Sequence, residues 1–264
     1  RAAQQRFRQL VGKQRRQLRK KSAAYRQIVF GGAKFECSDR EFSDAYYCAK
    51  ANLQLLQAEL PPPLGRYFFA GIPEYVQLFG TDTCYSVPGL VAAGFAAAAR
   101  DALELLRKYA DQQCGRVPHE VTTTGRVFNP GSPHETPQFA IACWNYFRWT
   151  GDRAFLEAVY PLCEEALLDY VVAQWDADLD FYPDGQSMVE RLGADDENVD
   201  SVCYFSKALS CLADMAEALG HHESASRYRG RYADVLRVAM NQDYWLDEES
   251  IFADSLRADH TRRL

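Results

Sequence analysis

The residues able to do chemistry gather in three stretches. The first runs Arg66-Tyr-Phe-Phe-Ala-Gly-Ile-Pro-Glu-Tyr-Val-Gln-Leu-Phe-Gly-Thr-Asp82 and on to Leu90. In it Tyr67, Phe68, Phe69, Tyr75, Phe79 and Tyr85 surround Asp82. Aromatic faces can stack on the C–H face of a sugar ring, and a fixed carboxylate accepts from two hydroxyls. Asp82 can equally cap the helix that follows, with the aromatics sealing its end. The second stretch holds two His-Glu pairs, His119-Glu120 and His134-Glu135. Such pairs bind hydroxyls or a metal. They lack the HExxH spacing that puts two imidazoles on one helix face, so no metal site is assigned. Glu135 also suits a helix N-terminus. The third reads Ser187-Met-Val-Glu190-Arg-Leu192. Apolar neighbours Met188, Val189 and Leu192 would desolvate Glu190 and raise its pKa, as a general acid requires. The alternative is a loop carboxylate paired with Arg191 or left in water. Asp195, Asp196, Glu197 and Asp200 then stand at a helix start, where acid is expected anyway.

The elements that position these residues are helices. Apolar positions recur at helical spacing from Ser43, a candidate N-cap, to Leu56, and Pro61-Pro62-Pro63 stops that run. An Ala-rich helix is expected over about 88–109, with Pro88 in its first turn. Further helices are expected over about 136–149, 153–174, 199–219 and 223–241. Tight turns at Thr150-Gly151-Asp152 and Gly220 alternate with long loops over about 61–87, 111–135 and 175–198. This is the pattern of stacked helical hairpins, all-α, either a solenoid or a closed toroid. Long loops then collect at one end, where function is expected.

Composition narrows the classes. The chain has 264 residues, 47% hydrophobic and 25% charged, enough for a sizeable core and not a disordered chain. Residues 1–34 hold eleven of the thirty Lys and Arg and none of the thirty-six Asp and Glu. That segment reads as a basic linker helix over residues 1–28, ended by Gly31-Gly32. The remaining nineteen basic and thirty-six acidic residues argue against nucleic acid as a partner. No stretch reaches the ~18 apolar residues of a membrane span. The eight cysteines show no CxxC spacing. They are expected to be mostly buried, reduced thiols in a cytoplasmic protein. GxSxG, P-loop and GxGxxG signatures are missing, so nucleotide and nucleophile-elbow chemistry have no support. No cofactor is expected.

An ordered series of phrases carries a resemblance. Ala70-Gly-Ile-Pro-Glu-Tyr, Leu78-Phe-Gly-Thr-Asp-Thr, Gly89-Leu-Val-Ala-Ala-Gly94, Gly115-Arg-Val-Pro-His-Glu120, Glu135-Thr-Pro-Gln-Phe139 and Trp149-Thr-Gly-Asp152 resemble glycogen-debranching-type amylo-α-1,6-glucosidases of the six-hairpin glycosidase superfamily. The series covers about 40–220. The resemblance implies an (α/α)6 toroid, with residues 1–34 as the helix that links it to a preceding domain and residues 35–264 as its N-terminal part. It implies an inverting hydrolase of α-glucosidic bonds, α-1,6 first among them, in a carbohydrate substrate. It gives Asp82 the innermost sugar hydroxyls, with Tyr75, Phe79, His119, Glu120, Glu135 and Asp200 around the substrate. It gives Glu190 the role of general acid. Thr81 stands where the family usually has Arg, which removes a cation from the pocket. The family's base lies late in the toroid, so it is expected beyond Leu264, in an incomplete chain with six of twelve helices. Two other readings stay open. A phosphorylase of the same toroid class would need a basic pocket, and the loops are poor in Lys and Arg. A non-catalytic helical scaffold would not crowd aromatics and carboxylates at one end.

Overall fold

The computed structural model describes residues 2–11, 13–175, 182–189, 196–257 and 259–264. Two basic helices come first, α1 (Ala2–Leu10) and α2 (Gln14–Phe30), where the sequence suggests one. Almost all of α2 faces solvent; Val29 is its buried residue. α3 (Arg40–Leu56) starts earlier than expected. Asp39, not Ser43, is its N-cap and accepts from the Phe42 N–H. A carboxylate accepting at that position satisfies an otherwise orphaned backbone donor. Ser43 lies inside the helix, and its hydroxyl donates to the Asp39 carbonyl.

Three hairpins follow. The first is α4 (Gly80–Ala92) and α5 (Ala96–Asp111). The expected single helix over 88–109 is therefore two helices, and Pro88 sits inside α4 rather than in a first turn. Gly94, at φ +95°, supplies the left-handed residue that turns the chain. The second hairpin is α6 (Glu135–Thr150) and α7 (Arg153–Glu165), the latter continued by a π turn over Ala166–Val171 and by α8 (Val172–Trp175). Gly151 at φ +67° ends α6, and Asp152 caps α7 through the Phe155 N–H. The third is α9 (Val199–Leu219), which Gly220 ends at φ +86°, then α10 (His222–Arg227), a π turn over Tyr228–Ala233, and α11 (Asp234–Asp243).

Packing orders the hairpins. α4 packs on α6 and α6 on α9, while α5, α7 and α10 return beside them. One buried cluster joins all three, including Leu103, Leu106, Phe139, Phe155, Phe205 and Leu212. Ala98, Ala99 and Ala102 let α5 approach its neighbours closely. Since each hairpin reverses the chain, α4, α6 and α9 all start at the end where the long connections lie.

Short strands order those connections. β1 (Gln57–Glu59) pairs with β2 (Arg66–Phe68), both antiparallel. β3 (Leu78–Phe79), β4 (Glu120–Val121) and β5 (Val127–Asn129) form a three-stranded sheet in that order. β6 (Glu197–Asn198) leads into α9. The thiols divide evenly instead of being mostly buried. Cys84, Cys143, Cys163 and Cys211 are buried, while Cys37, Cys48, Cys114 and Cys203 are exposed, and all eight are free. Among the described residues, no helix is long and apolar enough to cross a membrane.

Candidate active site

The second connection is stapled to the start of α6 by backbone-to-side-chain bonds. The Thr136 hydroxyl donates to the Gly115 carbonyl at 3.1 Å and accepts from the Val117 N–H at 3.1 Å. The Arg116 guanidinium donates to the Gly131 carbonyl and lies over the Trp175 ring. The Gly80 N–H donates to the His119 carbonyl at 2.9 Å, which ties the start of α4 to the same loop. A methyl group at Gly80 would meet the Pro118 carbonyl oxygen at 2.3 Å, so the close approach requires glycine.

This stapling brings four of the expected residues together. Tyr75 and Phe79 have ring centroids 6.2 Å apart, and Phe79 meets His119 edge-on at 5.8 Å. His119 Nδ1 lies 2.8 Å from Glu135 Oε1. His134, which the sequence paired only with its neighbour, approaches the same oxygen through Nε2 at 3.0 Å. The Ser132 N–H donates to Glu135 Oε2 at 2.6 Å. Glu135 is fully buried. Burial pushes its pKa up. Hydrogen bonds from His119, from His134 and from the Ser132 N–H outweigh it and hold the carboxyl down to about 2. Glu135 is thus an ionised anchor, not an acid or base for neutral pH.

These three residues also form the one group among the described residues with metal-ligand spacing, their ligand atoms within 4.8 Å of one another. The hydrogen bonding accounts for the cluster without an ion. An ionised carboxylate only accepts, so both facing ring nitrogens carry protons. A metal on His134 Nε2 would move that proton to Nδ1, which is buried with no partner. The donor set therefore does not fit a metal.

The other expected residues occupy distinct places. Asp82 lies in the exposed first turn of α4 and faces a cavity of about 190 Å3 lined also by Leu53, Phe68, Phe69, Tyr85 and Ser86. Glu120 sits half-buried on β4 opposite Phe79 and Asn129. Asp200, in the first turn of α9, accepts from the Ser187 hydroxyl at 2.8 Å, the Met188 N–H at 2.9 Å and the Ser201 N–H at 2.7 Å. Glu190, Arg191, Leu192 and Asp195 lie outside the described residues. Val189, expected as one of the apolar neighbours of Glu190, is 70% exposed. Its side chain is turned to water instead of packing beside the loop.

Sequence reasoning missed the residues that link these places. Tyr85 of α4 shares a hydroxyl hydrogen bond with Tyr204 of α9, ring planes nearly perpendicular. The Tyr204 hydroxyl and the Gln138 amide both donate to the Met188 sulfur at 3.6 Å. With Ile141, Asn145 and Pro88 they line a second cavity of about 230 Å3 between the three helices. The available signal was helical spacing: Tyr85, Gln138 and Tyr204 each follow a first-turn acid by three or four residues.

Comparison with known proteins places this arrangement. The family model described as the bacterial alpha-L-rhamnosidase 6 hairpin glycosidase domain matches residues 89–261. No curated protein matches. Among solved structures, the GH78 family rhamnosidase of Bacillus sp. GL1 is similar with TM-score 0.56 and 20% identity, over 72% of this chain and 20% of that one. The alpha-L-rhamnosidase from Dictyoglumus thermophilum is similar with TM-score 0.51 and 19% identity, over 66% and 20%. A bacterial glucoamylase complexed with acarbose is similar with TM-score 0.53 and 16% identity, over 79% and 33%. At these identities the likeness concerns the fold: helical hairpins of an (α/α)6 toroid. The chain spans between a fifth and a third of the length of these solved neighbours.

Proposed function

This chain belongs to the six-hairpin glycosidase domain family of bacterial α-L-rhamnosidases, and we propose that it supplies part of the sugar cup of an inverting glycoside hydrolase. The observation that carries the reading is the shared end of α4, α6 and α9. Each helix places a carboxylate in its first turn there, Asp82, Glu135 and Asp200 respectively; Asp82 lines a cavity with Phe68, Phe69 and Tyr85, and Glu135 holds His119, which meets the Phe79 ring. Their roles differ because their surroundings differ. Asp82 is exposed beside aromatic walls and takes sugar hydroxyls. Tyr75, 58% exposed, offers a stacking face. Glu135 spends its charge on two histidines and so orients His119 toward the substrate. Glu120 lies in the same sheet and contributes a further polar edge.

Glu190, placed by resemblance in the general-acid role, protonates the departing oxygen. A base from elsewhere in the enzyme activates water across the ring. In inverting enzymes the two carboxyl groups stand ~6.5–9.5 Å apart, leaving room for that water. The bond we assign is an α-glucosidic one, with α-1,6 linkages as the first choice from the glycogen-debranching resemblance. A second reading, an α-L-rhamnoside, is favoured by the family match over residues 89–261. Residues 1–34, with the basic helices α1 and α2, serve as a linker leading into this domain, and the protein works on carbohydrate without nucleic acid or cofactor.

The test is hydrolysis by the full-length enzyme of isomaltose, limit dextrin and an aryl α-L-rhamnoside, with the product anomer followed by NMR. Release of the inverted sugar from one of them, lost in Glu190→Gln, supports the reading and chooses the substrate. Unchanged turnover in Glu190→Gln removes that residue from the acid role. Turnover that requires inorganic phosphate makes the enzyme a phosphorylase.

A further inference from the structure

The stretch that leads into Glu190 is held in an unusually complete way. Ser187 is buried, and its hydroxyl donates to Asp200 Oδ2 at 2.8 Å. The same hydroxyl accepts from the Val189 N–H at 3.1 Å. The Met188 N–H donates to Asp200 Oδ2 at 2.9 Å. The other Asp200 oxygen accepts from the Ser201 N–H at 2.7 Å. From the opposite side the Met188 sulfur accepts from Gln138 of α6 and Tyr204 of α9, each at 3.6 Å. Residues 187–189 are thus gripped by the first turn of α9 through the Ser187 hydroxyl and the Met188 N–H, with the Val189 N–H held on the Ser187 hydroxyl, and through the Met188 side chain by two helices.

We infer that Asp200 is a positioning residue: its carboxylate fixes the arm 187–189, which directly precedes Glu190 in the sequence, rather than binding sugar itself. The effect on turnover rests on the glycosidase reading above. The argument is one of capacity. An ionised carboxylate offers about four acceptor sites. Three are taken by Ser187, Met188 and Ser201, and the Ser201 hydroxyl approaches Oδ1 as well, at 3.4 Å. Few sites are left for substrate hydroxyls. The bonds are charge-assisted, which makes them shorter and stronger than neutral ones. The position also explains why an acid stands in a first turn here. The α9 N-terminus favours the negative charge, and that charge recruits the returning loop to the helix. Small displacements of a catalytic group cost rate steeply, so an arm joined directly to a general acid needs such a clasp.

The experiment compares the full-length enzyme with Asp200→Asn, Asp200→Glu and Ser187→Ala. Hydrogen exchange, followed by mass spectrometry on substrate-free protein, reads the peptide covering 182–189. The expected result is lost protection at Met188 and Val189 in Asp200→Asn, a smaller loss in Ser187→Ala, and partial recovery in Asp200→Glu. For kinetics, kcat in Asp200→Asn is expected to fall about 100-fold, with KM held within about threefold. Its acid limb in the kcat pH profile should also move. Unchanged exchange in both Asp200→Asn and Ser187→Ala overturns the proposal. So does a large rise in KM with unchanged exchange, which is the mark of a sugar ligand. Should Asp200→Asn fail to fold, Ser187→Ala decides alone, because it removes one arm contact and leaves the carboxylate. If the wild-type enzyme turns over no glycoside, the glycosidase reading fails. The exchange result still decides whether Asp200 holds the arm.

Discussion

His119 Nδ1 and Glu135 Oε1 lie 2.8 Å apart, although sixteen residues and a two-stranded turn separate them in the chain. This pair, with His134 as a second donor, converts two loose His-Glu dipeptides into one buried clasp at the start of α6. It orients the His119 ring against Phe79 and fixes the floor of the loop.

Glu135→Gln is expected to cost about 3 kcal/mol, since an amide cannot satisfy three donors aimed at a buried carboxylate. The pH dependence has a definite sign. The folded carboxyl titrates at about 2, below its ordinary 4.5. The stabilisation is therefore complete above pH 4.5 and lost as pH falls toward 2. Thermal melts of both proteins across that range check this. Wild type should lose its advantage over the variant as the pH drops, and parallel curves would refute the assignment.

Gly80→Ala is expected to destabilise by about 1–3 kcal/mol through overpacking. The new methyl would lie 2.3 Å from the Pro118 carbonyl oxygen, and backbone cannot move aside as a side-chain tip can. The displaced segment includes the bond from the Gly80 N–H to the His119 carbonyl. Urea unfolding and the chemical shifts of His119 would report the two effects together. A variant as stable as wild type would show that the loop has slack.

Asp82→Ala should leave stability within about 0.5 kcal/mol, because the side chain is exposed. Its effect belongs to binding. Losing charged hydrogen bonds to sugar hydroxyls is expected to weaken substrate about tenfold or more. Calorimetric titration of the Glu190→Gln background with the substrate found above measures it. An unaltered affinity would return Asp82 to the part of a helix-start charge.

Lys50→Met should loosen the N-terminal segment. Lys50 is buried, and its ammonium donates to the carbonyls of Gly31 at 2.8 Å and Ala33 at 3.1 Å, joining the end of α2 to α3. Without it, trypsin should cut within residues 13–34 several times faster while the hairpin domain stays intact. An unchanged digestion pattern would assign that attachment to the α2–α3 packing alone.

The hairpins over 135–175 and 199–243 were legible because their apolar residues recur at helical spacing and glycines mark where the helices end. The break between α4 and α5 was not. The alanine run keeps its apolar periodicity across Gly94, so nothing local separates a turn from one exposed glycine. The cap of α3 was misplaced for a related reason. Asp39 and Ser43 are both good caps, and only the backbone conformation before the helix chooses between them. The π turns in the second and third hairpins left no mark in residue spacing.

Residue type and periodicity by themselves determined an all-helical chain of hairpins, with aromatics, histidines and carboxylates crowding the long connections. Those are local properties, fixed by which side chains recur every third or fourth residue and which residues break a helix. The tertiary structure decided what surrounds each acid. Asp82, Glu135 and Asp200 all begin helices, and the sequence grants each the same helix-start charge. Burial beside two histidines makes one an anchor, an arm folded back onto it makes another a clasp, and exposure beside aromatic rings leaves the third open to a ligand. Such differences come from groups distant in the chain and adjacent in space, which spacing along one strand of sequence cannot record.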